Sequence, residues 1–209
     1  KIIIYGTSIQ QGGCASRTCM VPSAKIQRDF NLECVNLATS GQARMDFYIA
    51  EAMASIEDAI CYVIDPVPNC TKDRCDTATY DFINILRTLR PEVPIVMVEG
   101  LMYPYTRHDS FHAEYLPQKN ECFRRGFDQH VAENPKGMYY MTHEGQTGPD
   151  MEGTVDGIHL TDYGFRAYAD LLEIVVKEAL DDTDVDYDVE PAYNVVRKKT
   201  FWERLKDLF

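Results

Sequence analysis

The chain has 209 residues, 45% hydrophobic and 26% charged, enough for one sizeable domain with a real core. Its net charge of −12 disfavours nucleic acid and anionic membranes as partners. No apolar run reaches the length of about 20 residues that a membrane-spanning helix needs.

The sequence starts on an apolar run, Lys1-Ile2-Ile3-Ile4-Tyr5, with neither an initiator methionine nor a signal peptide. We read this as a cut or processed N-terminus, which leaves export open. A secreted or periplasmic location is the expectation. Residues 2–5 form the first predicted strand. Residues 22–30 follow as a helix, with Ile26 and Phe30 four apart. A short strand at 33–37, an Ala- and Met-rich helix at 44–55 and a strand at 59–64 come next. Asp76 is a fitting cap for a helix running to Arg90, with Phe82, Leu86 and Leu89 on one face. Pro91 ends it. Residues 95–98 are an uninterrupted apolar run, the pattern of a strand buried on both faces. A long helix at 114–133, a weaker strand at 138–141 and a helix at 161–180 complete the series. The last helix carries the stripe Phe165, Tyr168, Leu172, Val175, Val176 and Ala179, which matches a period of about 3.6 residues.

Five strand–helix alternations predict parallel strands joined by right-handed crossovers. The fold class is α/β: a three-layer α/β/α sandwich on a five-stranded parallel sheet of flavodoxin-like order 2-1-3-4-5. It occupies residues 1–180. Residues 181–209 read as an acidic linker and then an amphipathic C-terminal helix, with Phe201, Leu205 and Phe209 spaced by four. Docking of that helix on its own domain is the default.

Cys34 and Cys61 fall in strand-like runs and read as core thiols. Cys14 with Cys19, and Cys70 with Cys75, sit in segments read as loops. Local disulfides and free thiols both remain open there. No Cys-x-x-Cys pair exists, so a zinc ribbon has no support.

In a sheet of this kind the site forms where the carboxyl ends of the strands meet the following loops. The residues with chemical potential fall there. Ser8 follows the first strand, Gly41 the second, Asn69 the third, and Asp156 and His159 the fifth. A serine hydroxyl is a weak nucleophile until an imidazole takes its proton, and the imidazole needs a carboxylate to fix its tautomer. Ser8, His159 and Asp156 supply these roles, with the acid three residues before the histidine on one turn. Attack on an ester carbonyl creates an oxyanion, and each donor aimed at it contributes about 3–4 kcal/mol when tested by removal. The candidate donors are the backbone N–H groups of Ser8 and Gly41 and the side-chain amide of Asn69. Pro66 and Pro68 stiffen the loop that presents Asn69.

Other patterns carry less. Gly12 and Gly13 lack the Lys-Ser/Thr of a phosphate cradle. His108 and His112 have helical metal spacing but fall in a segment read as a loop, and no metal site is assigned. Asp65 closes the third strand with no second acid beside it, and reads as structural support. The 101–111 segment is expected to form a rim, with Tyr103, Tyr105 and Arg107 as substrate contacts or as loop packing. The glycine-containing 142–155 segment is the opposite wall.

Gly6-Thr7-Ser8, Gly41, Asn69 and Asp156-x-x-His159 together resemble the four blocks of the SGNH (GDSL-like) hydrolase superfamily. Thr7 stands where the serine block usually has Asp. The third block, Asp65-Pro66-Val67-Pro68-Asn69-Cys70, lacks the usual glycine and following aspartate. Both departures are similar to a bacterial branch with a Gly-Thr-Ser-Ile-x-Gln-Gly serine block, as in residues 6–12 here. Members of that branch often carry an additional N-terminal β-domain, whose loss would explain a chain that begins on a strand. The resemblance implies acyl-ester hydrolysis without metal or cofactor, on a small-molecule or glycan substrate and often on acetylated carbohydrate. Two rivals remain: a lipid or thioester acyl hydrolase of the same fold, and a glycan-binding module with a vestigial triad.

Overall fold

The computed structural model describes residues 1–183 together with 185 and 187. The amphipathic C-terminal helix and most of the acidic linker lie outside the described residues. Strands β1 (Ile2–Gly6) and β3 (Cys61–Asp65) are buried along their whole length, as is β4 (Ile95–Val98). Their unbroken Ile, Val and Tyr content suits strands covered on both faces. Strands β2 (Cys34–Asn36) and β5 (Met138–Met141) are only partly buried, because they form the two edges. All pairings are parallel and the order is β2-β1-β3-β4-β5. This is the expected three-layer α/β/α sandwich.

Alternate residues of each strand feed two separate cores. Ile3, Tyr5, Tyr62, Ile64, Ile95 and Met97 point to one face. There they meet helices α3 (Phe47–Ala54), α4 (Lys72–Leu89) and α5 (Ser110–Glu133). Ile2, Ile4, Cys61, Val63, Val96 and Val98 point to the other, against α2 (Pro22–Phe30) and α6 (Asp162–Asp181). The remaining helix, α1 (Ser8–Gln11), is a single short turn directly after β1.

Three helix starts differ from expectation. Helix α4 begins at Lys72 rather than Asp76, because the Thr71 side chain caps it by accepting from Arg74 N at 3.2 Å. Helix α5 begins at Ser110 under an Asp109 cap and continues through Pro117. Helix α3 begins at Phe47 rather than Arg44, because Met45 is in the left-handed region at φ 56°. That conformation turns Met45 N onto the Tyr5 hydroxyl at 3.0 Å.

The cysteine reading also changes. Cys75 lies inside α4, not in a loop, and both it and Cys70 are buried thiols rather than loop residues. All seven cysteines are free. Among the described residues, no helix is long and apolar enough to cross a membrane.

Candidate active site

The sheet reverses its winding at β1, whose neighbours are β2 on one side and β3 on the other. The carboxyl ends of β1 and β3 therefore open the crevice in which such sheets hold ligands. Ser8 stands there as the first residue of α1, with the Thr7 hydroxyl capping the turn and Gly12 closing it.

The Ser8 hydroxyl lies 2.9 Å from His159 Nε2. His159 Nδ1 lies 2.7 Å from Asp156 Oδ2. The other carboxylate oxygen, Oδ1, accepts from the backbone N–H groups of Ile158 at 2.9 Å and His159 at 2.7 Å. Gly157, at φ 87°, gives the turn the left-handed residue it needs to fold the acid back onto its own histidine. The His159 contact first, and then the two backbone donors, hold the Asp156 carboxyl well below the usual carboxylate range. An ionised Asp156 can only accept. The proton therefore sits on Nδ1, and Nε2 is left to accept from Ser8.

Two other acid–histidine pairs exist and set this one apart. Asp109 binds His112 Nδ1 at 2.6 Å, and Glu99 binds His143 Nδ1 at 2.7 Å. Among the described residues, only His159 offers its second nitrogen to a hydroxyl. Glu99, His143 and Glu144 bring one ligand atom each within 4.8 Å of one another. The Glu99 carboxylate is already engaged by the His143 ring and backbone N–H, which ties the end of β4 to the loop after β5. His112 lies in α5, not in a loop, and pairs with its cap residue rather than with His108.

The residues expected to supply oxyanion donors follow β1, β2 and β3 at the same edge of the sheet. Ser8 N–H belongs to the first turn of α1, where the helix offers no acceptor. Gly41 has φ 71°, and a side chain there would meet nothing within 4 Å. Its loop is stitched to the nucleophile turn by Thr39 N to Gly6 O at 2.9 Å and Ser40 N to Gln11 Oε1 at 3.1 Å. Asn69 Oδ1 accepts from Ala43 N at 3.3 Å. Its Nδ2 group makes no hydrogen bond among the described residues. Arg74 pins the same loop from α4, donating to Arg44 O at 2.6 Å and Met45 O at 2.7 Å.

The rim differs in part from expectation. Tyr103 is 7% exposed and packs beneath Tyr105, with ring centroids 5.4 Å apart. It supports the rim rather than forming it. Tyr105 lies against Gly157, so the ring covers the acid–base turn directly. Arg107 is exposed and reaches Met151 Sδ at 3.7 Å, joining the two loops that flank the site. One neighbour was not singled out from sequence. Gly13 N donates to Ser8 O at 2.7 Å, and a Cβ on Gly13 would stand 3.3 Å from His159 Cδ2. The double glycine at 12–13 stands out in the sequence only as a candidate phosphate cradle, which the missing Lys-Ser/Thr sets aside.

Many doubly wound α/β proteins share this strand order and a site at the β1 switch point; the family comparison places this one in the SGNH (GDSL-like) hydrolase superfamily. Within it, the chain belongs to the GDSL-like lipase/acylhydrolase family, whose model matches residues 1–177. Among solved structures, it is similar to a protein from Bacteroides ovatus described as a GDSL-like lipase, with 30% identity and a TM-score of 0.82 over 86% of this chain and 53% of that one. It also resembles the salicylyl-acyltransferase SsfX3 from a tetracycline biosynthetic pathway, at 17% identity and TM-score 0.68 over 85% of this chain and 54% of that one. A family two carbohydrate esterase from Clostridium thermocellum, solved with cellohexaose, matches at 16% identity and TM-score 0.65, over 88% of this chain and 65% of that one. The last two likenesses concern the fold. The chain spans about half the length of the first two proteins. No curated protein matches it.

Proposed function

We propose that the protein is a serine esterase that removes small acyl groups, in the first instance acetyl, from carbohydrate. One observation carries this reading: the continuous hydrogen-bonded line Ser8–His159–Asp156, at 2.9 and 2.7 Å. Ser8 Oγ attacks the acyl carbon while His159 Nε2 takes its proton. Asp156 steadies the charge that the imidazole gains. The Ser8 and Gly41 N–H groups and the Asn69 amide receive the oxyanion. His159 then returns its proton to the departing alcohol. Water, deprotonated by the same imidazole, attacks the acyl-enzyme and frees the acid.

The substrate class has two supports. The side chains of His159 and Asp156 are 29% and 49% exposed, so the reacting groups are open to solvent, which suits a short acyl group carried on a large alcohol. The Tyr105 ring beside Gly157 offers a flat apolar face next to the point of attack, of the kind on which sugar rings stack. The carbohydrate esterase likeness agrees with both.

The test is acetate release from acetylated glycans, run beside activated esters of increasing acyl length and with Ser8→Ala as control. Acetyl should be the preferred group. Ser8→Ala should keep the fold and lose turnover by a factor on the order of 10⁴ or more. Undiminished turnover in that variant would sink the nucleophile assignment. A preference for long chains would move the substrate to lipids.

A further inference from the structure

Helix α1 carries the nucleophile but has only four residues, too few to hold an orientation unaided. Its inner face is anchored by Gln10, which is fully buried. Gln10 Nε2 donates to Asp65 Oδ2 at 3.0 Å and to the Tyr168 hydroxyl at 2.7 Å. The Tyr168 hydroxyl donates to the same Asp65 oxygen at 2.8 Å. The three side chains close a hydrogen-bonded ring in which each touches the other two.

The ring joins the elements that carry the two halves of the catalytic pair. Gln10 lies two residues after Ser8. Tyr168 lies on α6, the helix that Thr161 caps just past His159. Asp65 is the last residue of β3, paired in register with Gly6. Gly6 has no side chain because Gln10 fills the space: a Cβ there would lie 2.5 Å from Gln10 Cγ. Moving Gln10 would therefore move the turn that ends in Ser8.

The donors and acceptors of the ring can be counted. An amide offers two N–H donors and a phenol one O–H. Three donations are present, and two of them converge on one oxygen of Asp65. Asp65 thus acts as the acceptor that closes the ring. It has no ion-pair partner among the described residues, and burial pushes its carboxyl up to about 7. A carboxylate buried without a cation is costly, and well-packed apolar side chains would fill the same space more stably. The polar ring adds direction, which apolar packing does not.

We propose that Gln10, Asp65 and Tyr168 are positioning residues that set the nucleophile turn against the base-bearing helix, and so set the Ser8–His159 hydrogen bond. The inference rests on Ser8 being the nucleophile. Tyr168→Phe removes one O–H and leaves the ring shape. Gln10→Met keeps the bulk and removes the amide. Both are assayed on p-nitrophenyl acetate well below their melting midpoints, and by the rate at which a fluorophosphonate labels Ser8. Each should lower kcat by about ten- to a hundredfold, the cost of a small misplacement, with KM held within about twofold. Labelling should slow in parallel, and the double variant should lose little more than either single one, because both cut one ring. Wild-type kcat and labelling with only a lowered melting midpoint would overturn the proposal and leave the ring a structural tie. Should one variant fail to fold, the other carries the same test. A wild-type protein that neither turns over ester nor labels at Ser8 would instead remove the esterase reading itself.

Discussion

At the scale of single residues, the site is shaped as much by what is missing as by what is present. Gly13 has no side chain, and the His159 ring crowds the space one would take. A methyl group there would stand 3.2 Å from Ser8 O and 3.3 Å from His159 Cδ2. The Ser8 carbonyl cannot yield, because Gly12 N and Gly13 N both donate to it. The imidazole can, and it would tilt away from the hydroxyl. Gly13→Ala should therefore lower kcat/KM by about tenfold or more while the melting midpoint stays near wild type, read by ester hydrolysis beside calorimetry. A variant that melts early and keeps full specific activity would refute this. The role of Gly13 was not legible in the sequence, since its partner lies far along the chain and glycine announces only backbone freedom. Ser8, Asp156 and His159 stood out because acid and base share one turn and the hydroxyl follows a strand. Asp65 stood out only as structural support at the end of a strand, and Gln10 not at all, because a buried ring assembled from three distant positions leaves no spacing to read.

At the scale of elements, the turns above the sheet are held by side chains from the helices below them. Asn120 of α5 shows this most directly. Its Oδ1 accepts from Gly100 N at 2.9 Å and its Nδ2 donates to Gly100 O at 2.8 Å. The amide thus replaces a strand partner just where β4 ends and the rim segment begins. Asn120 is 5% exposed, so water would not readily take its place. Asn120→Leu should leave both backbone groups unpaired and cost roughly 2–6 kcal/mol, at about 1–3 kcal/mol for each buried group. Urea unfolding would read this as a lowered midpoint with an unchanged slope, and a shift under about 0.5 kcal/mol would contradict it. The strands were legible because β1, β3 and β4 are continuous apolar runs. Helix starts were less so, for identifiable reasons. Lys72, Asp73 and Arg74 open α4 with no apolar stripe, Asp109 and Ser110 read as loop residues although they cap and open α5, and the left-handed Met45 is set by a bond to distant Tyr5.

At the scale of the whole molecule, buried titratable groups set how stability follows pH. His130 of α5 is buried, and neither ring nitrogen has a hydrogen-bond partner among the described residues. Its ring packs 5.9 Å from that of Tyr80 on α4. Burial first, and the Arg87 guanidinium second, push its imidazole below the ordinary value of 6.5. The unfolded chain therefore takes up a proton at His130 that the folded chain refuses. Stability from this group is fully present above about pH 6.5 and is lost as pH falls below it toward the depressed folded value. Asp65 pulls the opposite way. Its carboxyl is raised to about 7 from an ordinary 3.8, so the folded state holds that proton longer and stability declines as pH rises between the two values. His143 follows the same direction as Asp65: Glu99 raises its imidazole, and its contribution fades as pH climbs through the raised value. The wild-type profile sums these slopes, so the histidine must be isolated by difference. His130→Leu removes the ring that cannot be charged and leaves the other two groups in place. The gap in unfolding free energy between variant and wild type, measured at pH 8 and again at pH 5.5, should move in the variant's favour at the lower pH. A gap that stays constant across that range would mean that His130 takes up its proton equally in the folded and unfolded chains, and that the helix pair opens to admit water around the ring.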